Sequence, residues 1–193
     1  MNQLPEWLES LRQRLPGEWV GDHVVRVFNA VDGVSFTKRR QTLDELYLIN
    51  EPDINRARSA ALAVTNCGTS MRAILAVAGA HSPWITKPYI TGMAISWLEN
   101  AARDCDALIS LREHPNAWQL VEPGWCYHWG TPGKNDDHVE FALSVPDFET
   151  GIAEHGGGGQ ADNLISRRAP SDIRHHNGRP LKYVYRVDRL VLP

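Results

Sequence analysis

Cys67 stands in Asn66-Cys67-Gly68-Thr69-Ser70, directly ahead of the apolar run MRAILAVAGAH. The Ala, Ile, Leu and Val content of that run predicts a helix buried almost all round. A cysteine in a polar loop at the mouth of such a helix meets unpaired backbone N–H groups and the positive end of the helix dipole, and both favour a thiolate. A thiolate is a nucleophile, and the same N–H groups, with Asn66 or Ser70 beside them, could hold the oxyanion of a tetrahedral intermediate. The competing reading makes Cys67 a small packed hydrophobe.

A thiol nucleophile needs a base, usually a histidine held by a third group. Of eight histidines, His138 is the best placed. In EPGWCYHWGTPGKNDDHVEFALSV, Pro123-Gly124 starts a strand, 131–136 forms a turn, and Asp137-His138-Val139-Glu140-Phe141 begins the next strand. A histidine at a strand's edge beside such a turn points into a cleft as readily as into solvent.

The order of these parts resembles the papain-like NlpC/P60 and CHAP families over about residues 60–168. The shared pattern is a cysteine at a helix start, mainly helix after it, then Pro-Gly, a strand with Trp, a polar turn and Asp-His-Val. The resemblance implies a papain-like α+β domain in which the cysteine attacks, the histidine opens the second core strand, and a polar residue on the adjoining strand orients the imidazole. It also implies a catalytic trio of Cys67, His138 and His155, with His155 in the orienting position. Glu154 competes for that role, because strand alternation sends it to the opposite face from His155. The substrate class implied is the peptide stem of bacterial cell wall, cut by an endopeptidase or amidase, with no cofactor.

Other residues are assigned more ordinary places. Trp118 and Trp125 are expected in the core, whereas Trp129, close to the turn before His138, could line a substrate groove. Cys105 and Cys126 read as packing residues. His175 and His176 point opposite ways on a strand, with no Cys or carboxylate cluster to complete a site, so they are expected at the surface and no metal is expected. Gly156–Gly159 lacks the Lys-Ser/Thr of a phosphate loop and reads as a flexible lip of the cleft or a wide turn.

The elements that must position these groups run helices first and sheet afterwards, an α+β layering around one core. An amphipathic helix is expected over 5–15, a hairpin over 19–36, and helices over 42–48, 54–64, 71–81 and 91–109. A small antiparallel sheet follows, at about 118–130, 137–145, 149–155 and 181–191. The chain of 193 residues is expected to form a single domain, 1–193, with a helix-hairpin extension over about 1–50. It is 42% hydrophobic and 22% charged, which fits an ordinary globular protein. With 20 basic against 23 acidic residues and no basic block, it has no footprint for gripping nucleic acid.

Three widely spaced cysteines fit neither a disulfide framework nor a paired zinc site. The first residues lack a signal peptide's basic start and apolar core, and no stretch is long enough to anchor in a membrane. Synthesis in the cytoplasm is therefore expected. A wall hydrolase would then reach its substrate by lysis or by a secretion machine, and an antibacterial effector of that kind would need a cognate immunity protein. Two other readings stand beside the hydrolase. One is a permuted acyltransferase or lipid hydrolase, with His23 opening a strand ahead of Cys67. The other is a phage or secretion-system structural protein with an incidental cysteine.

Overall fold

The computed structural model describes residues 4–61, 66–88, 94–159 and 164–192. Its architecture is α+β, with helices in the first half and an antiparallel sheet in the second. The helices are α1 (Glu6–Arg12), α2 (Val20–Val31), α3 (Arg40–Tyr47), α4 (Ile54–Ala61), α5 (Cys67–Val77), the single turn α6 (Pro83–Thr86) and α7 (Ala94–Asp104). Among the described residues, no helix is long and apolar enough to cross a membrane.

The segment expected to be a hairpin is helix α2. Val20, Val24, Val27, Phe28 and Val31 fall at helical spacing, and all five are buried. The β-branched content that suggests strands is overridden by this single apolar face packing into the core. The 91–109 helix is also shorter than expected. Its described part, α7, stops at Asp104, Asp106 takes a left-handed φ of 52°, and strand β1 (Leu108–Ser110) follows. The parts of the expected helices at 62–64 and 91–93 lie outside the described residues.

The strands after β1 are β2 (Cys126–Trp129), β3 (His138–Ala142), β4 (Ile152–Ala153), β5 (His155–Gly157), β6 (Ser166–Arg167), β7 (Ser171–Asp172), β8 (His175–His176) and β9 (Arg179–Tyr185), and the short helix α8 (Val187–Leu190) closes the order. The sheet runs β1-β9-β2-β3-β5-β6, with β8 paired to β9, while β4 and β7 form a separate pair. The last long strand is thus inserted between β1 and β2. Register places Trp129 opposite His138, Tyr127 opposite Glu140, Ala142 opposite His155, and Ala153 opposite Ser171.

One continuous hydrophobic cluster runs from Leu8 to Val191. Helix α5 lies at its centre, with every residue from Cys67 to Val77 buried, as its composition predicts. Arg72 is buried in this helix by donating to the carbonyls of Trp84, Ile85 and Lys87 at 3.0, 3.1 and 2.7 Å. Those bonds tie the loop after α5 to its middle.

Candidate active site

Cys67 is the first residue of α5, one step further into the helix than a polar loop would put it. The first intrahelical bond runs from the Ser70 N–H to the Asn66 carbonyl at 2.7 Å. The N–H groups of the turn's first residues have no earlier helical carbonyl to meet. Gly68 fits this turn against α7, since a Cβ there would come within 2.9 Å of Ala94 and Ile95. The glycine fixes the depth of the helix end, and with it the cysteine.

His138 opens β3 and hydrogen-bonds Glu140 Oε1 through Nε2 at 2.8 Å, and Cys67 is near enough to raise the pKa of the ring. With Nε2 engaged by Glu140, Nδ1 is the nitrogen left for the sulfur. Burial disfavours charge on this ring, but the hydrogen bonds and charges of Cys67 and Glu140 outweigh it and raise its pKa to about 9. His138 therefore carries a proton at neutral pH. Cys67 is 2% exposed and His138 9%, so the pair lies just beneath the surface.

Glu140, on β3 with His138, is the carboxylate that bonds its imidazole, where the resemblance expects His155 from the adjoining strand. It is fully buried and its carboxylate is saturated: Oε1 accepts from His138 and twice from Arg168, at 3.0 and 2.9 Å, while Oε2 accepts from His155 Nδ1. Burial pushes its pKa up, yet the hydrogen bonds from the two histidines hold it well below the usual carboxylate range. His155 thus reaches His138 through Glu140, and no hydrogen bond joins the two rings among the described residues. Glu154 leaves on the other side and pairs with Arg167. Neither expected orienter bonds the imidazole, because register sets His155 opposite Ala142, four residues along β3 from His138, whereas Glu140 is two residues along on the same face.

The other expectations divide. Ser70 Oγ turns back to the carbonyls of Asn66 and Cys67 at 2.8 and 3.1 Å, which spends its proton and removes it as an oxyanion donor. Asn66 directs its amide N–H to the Tyr47 hydroxyl at 3.3 Å. Trp129 lines no groove: it is fully buried, donates its indole N–H to the Ile173 carbonyl at 2.7 Å, and stacks on His138 with ring centroids 6.1 Å apart. Trp118 and Trp125 are core residues, and Cys126 is a core thiol whose pKa burial drives up. Cys105 is partly buried beside Asp104 and Asp106, which together with burial raise its pKa.

His176 is half-buried rather than exposed. Its ring lies nearly parallel to that of His138, with centroids 4.6 Å apart at 15°, and burial lowers its pKa to about 4. It is a neutral plate against a protonated one. His175 is exposed, as alternation requires. Gly156–Gly159 is likewise no loose lip. A Cβ at Gly157 would come within 2.9 Å of Glu140 Cγ, one at Gly158 within 2.3 Å of Ser70 Oγ, and one at Gly159 within 3.4 Å of the Cys67 backbone nitrogen. The run is glycine because its backbone passes directly over the site.

Ligand atoms of His138, Glu140 and His176 lie within 4.8 Å of one another, which raises a metal site as an alternative. Two observations oppose it. Arg168 already places a fixed positive charge on Glu140 Oε1. Near-parallel stacked rings also keep their in-plane lone pairs in separate, nearly parallel planes, which disfavours convergence on one ion. His23, the base of the reversed-order reading, is buried in α2 with Nε2 at 2.7 Å from the Leu11 carbonyl, and so it ties α1 to α2. Two surface hollows among the described residues, about 620 Å³ beside Leu120 and about 870 Å³ beside Trp19, are lined by neither Cys67 nor His138. No protein family, curated protein or solved structure matches the chain.

Proposed function

We propose that the protein is a papain-like cysteine hydrolase of amide bonds, acting on peptide stems of bacterial peptidoglycan as an endopeptidase or amidase. The observation that carries the chemistry is the chain Cys67–His138–Glu140, in which a buried carboxylate holds one imidazole nitrogen and leaves the other for the sulfur. A nucleophile, a base and an orienter in contact are what thiol-mediated acyl transfer requires.

In the proposed reaction, Cys67 Sγ attacks with its proton already held by His138 and bonds to the carbonyl carbon of the scissile amide. The carbonyl oxygen becomes an oxyanion, for which the free N–H groups at the start of α5 are the nearest candidate donors. The C–N bond then breaks as His138 protonates the leaving amine. Water, deprotonated by His138, hydrolyses the thioester and restores the thiol. Throughout, Glu140 accepts the Nε2–H of His138, while Arg168 and His155 fix Glu140 in turn.

The choice of wall peptide rests on the resemblance around Cys67 and Asp137-His138-Val139, and an immunity protein is the partner that an antibacterial role would bring. Incubating the purified protein with peptidoglycan and analysing released fragments by mass spectrometry tests the proposal. Fragments with a new amine and carboxylate, absent with Cys67→Ala and with His138→Ala, are expected. Intact peptidoglycan with a folded wild-type protein would sink the wall substrate.

A further inference from the structure

Beyond the thiol, Glu140 serves a second histidine, and that histidine serves a second possible nucleophile. His155 bonds Glu140 Oε2 through Nδ1 and lies 2.8 Å from Ser171 Oγ through Nε2. We propose that Ser171, His155 and Glu140 form a serine esterase triad, back to back with the cysteine arm and sharing its carboxylate.

The protonation pattern follows from the donor inventory. An ionised Glu140 can only accept, so His155 Nδ1 carries the hydrogen it receives. In a neutral ring Nε2 is then a lone pair, and the Ser171 hydroxyl is the donor to it. This is the tautomer in which a histidine can take a serine's proton. The positions suit the roles: Glu140 is fully buried, His155 is 2% exposed, and Ser171, on β7 opposite Ala153, is exposed. Trp129 and Tyr127 hold the His155 ring, with centroids 5.7 and 6.5 Å away, and Arg168 N–H binds the His155 carbonyl at 2.8 Å.

The substrate class is a carboxylic ester. Ser171 Oγ bonds to the acyl carbon as its proton passes to His155 Nε2. The bond to the alcohol oxygen breaks, and the alcohol leaves with that proton. Water, deprotonated by Nε2, then cleaves the acyl-serine and releases the carboxylic acid. The cysteine arm is not needed for any of these steps.

A fluorophosphonate probe on the full-length protein, with adducts located by peptide mass spectrometry, tests the triad. Ser171 is expected to react about a hundredfold faster than the exposed Ser10 and Ser59, the gain that a positioned base provides. His155→Gln should bring Ser171 down to their rate. Ser171 reacting no faster than Ser10 and Ser59 in folded wild-type protein overturns the proposal, whether or not His155→Gln folds. Iodoacetamide alkylation of Cys67, read in the same digest, reports on the thiol separately.

Discussion

Glu140 Oε1 lies 2.8 Å from His138 Nε2, across a two-residue step of β3 that sends both side chains to one face. The imidazole and its carboxylate partner are thus set by a single strand. No loop has to close to bring them together, and the relation holds as long as β3 stays paired to β2 and β5.

Glu140 also receives Arg168 and His155, so removing it leaves three side chains without their acceptor. Glu140→Ala is expected to destabilise the fold by about 3–5 kcal/mol, the usual cost of breaking a buried ion pair from one side. Glu140→Gln keeps the volume and one acceptor, and should fold with turnover lowered about 10² to 10⁴-fold. Urea unfolding and kcat on released peptide, measured on both variants, separate the two effects.

His138 should titrate near pH 9, well above a free imidazole. Because its pKa is raised on folding, its contribution to stability is full below about pH 6.5 and is lost as pH rises through about 9. Hydrolysis should fall over the same alkaline range, since an unprotonated His138 cannot protonate the leaving amine. Cys67→Ala and Glu140→Gln each remove a partner that raises this pKa, so both should move the midpoint down. Nitrogen-15 shifts of the His138 ring follow it directly, and an unmoved midpoint in Cys67→Ala would show that the thiol is not its partner.

The positions of Cys67 and His138 were legible because each sits at the boundary of a strongly patterned element. The buried helix announces itself in MRAILAVAGAH, and the strand start in the turn before His138. Glu140 was legible too, in principle: residues i and i+2 of a strand share a face, so Asp137-His138-Val139-Glu140 pairs the imidazole with the carboxylate. Arg168, Ser171 and His176 left no such signal. They reach the site from β6 onward by tertiary pairing, and nothing local in ISRRAPS or IRHHNG points there. Helix α2 misled for the opposite reason, as its valines favour strands while their spacing favours a helix.

Chelation should leave hydrolysis unchanged. The cluster of His138, Glu140 and His176 already holds the Arg168 guanidinium, which occupies the charge that a cation would supply. Turnover before and after exhaustive dialysis against EDTA checks this, and loss restored by zinc would favour a metal-bound reading of the same residues.

His23→Ala should cost stability and not chemistry. Its Nε2 contact to the Leu11 carbonyl fastens α1 to α2, and a lost buried hydrogen bond costs about 1–3 kcal/mol. Below the unfolding transition, the rate of Cys67 alkylation should equal that of wild type. A folded His23→Ala protein with an inert thiol would return the reversed catalytic order to consideration.

Gly158 gives the sharpest test of how the site is held. A methyl group there would sit 2.3 Å from Ser70 Oγ and 2.9 Å from Asn66 Oδ1, both on the first turn of α5. Gly158→Ala must therefore displace the Ser70 and Asn66 side chains or push the strand-end backbone away from the helix that carries Cys67. The expected result is a tenfold or greater fall in kcat, of the order seen when reacting groups shift by a fraction of an ångström, with most secondary structure intact by circular dichroism. Adding Ser70→Ala removes the nearest clashing atom but leaves Asn66 in place, so it should restore part of the loss. If Gly158→Ala alone retained full activity, the glycine run would be a spacer rather than the surface against which the nucleophile's helix is seated.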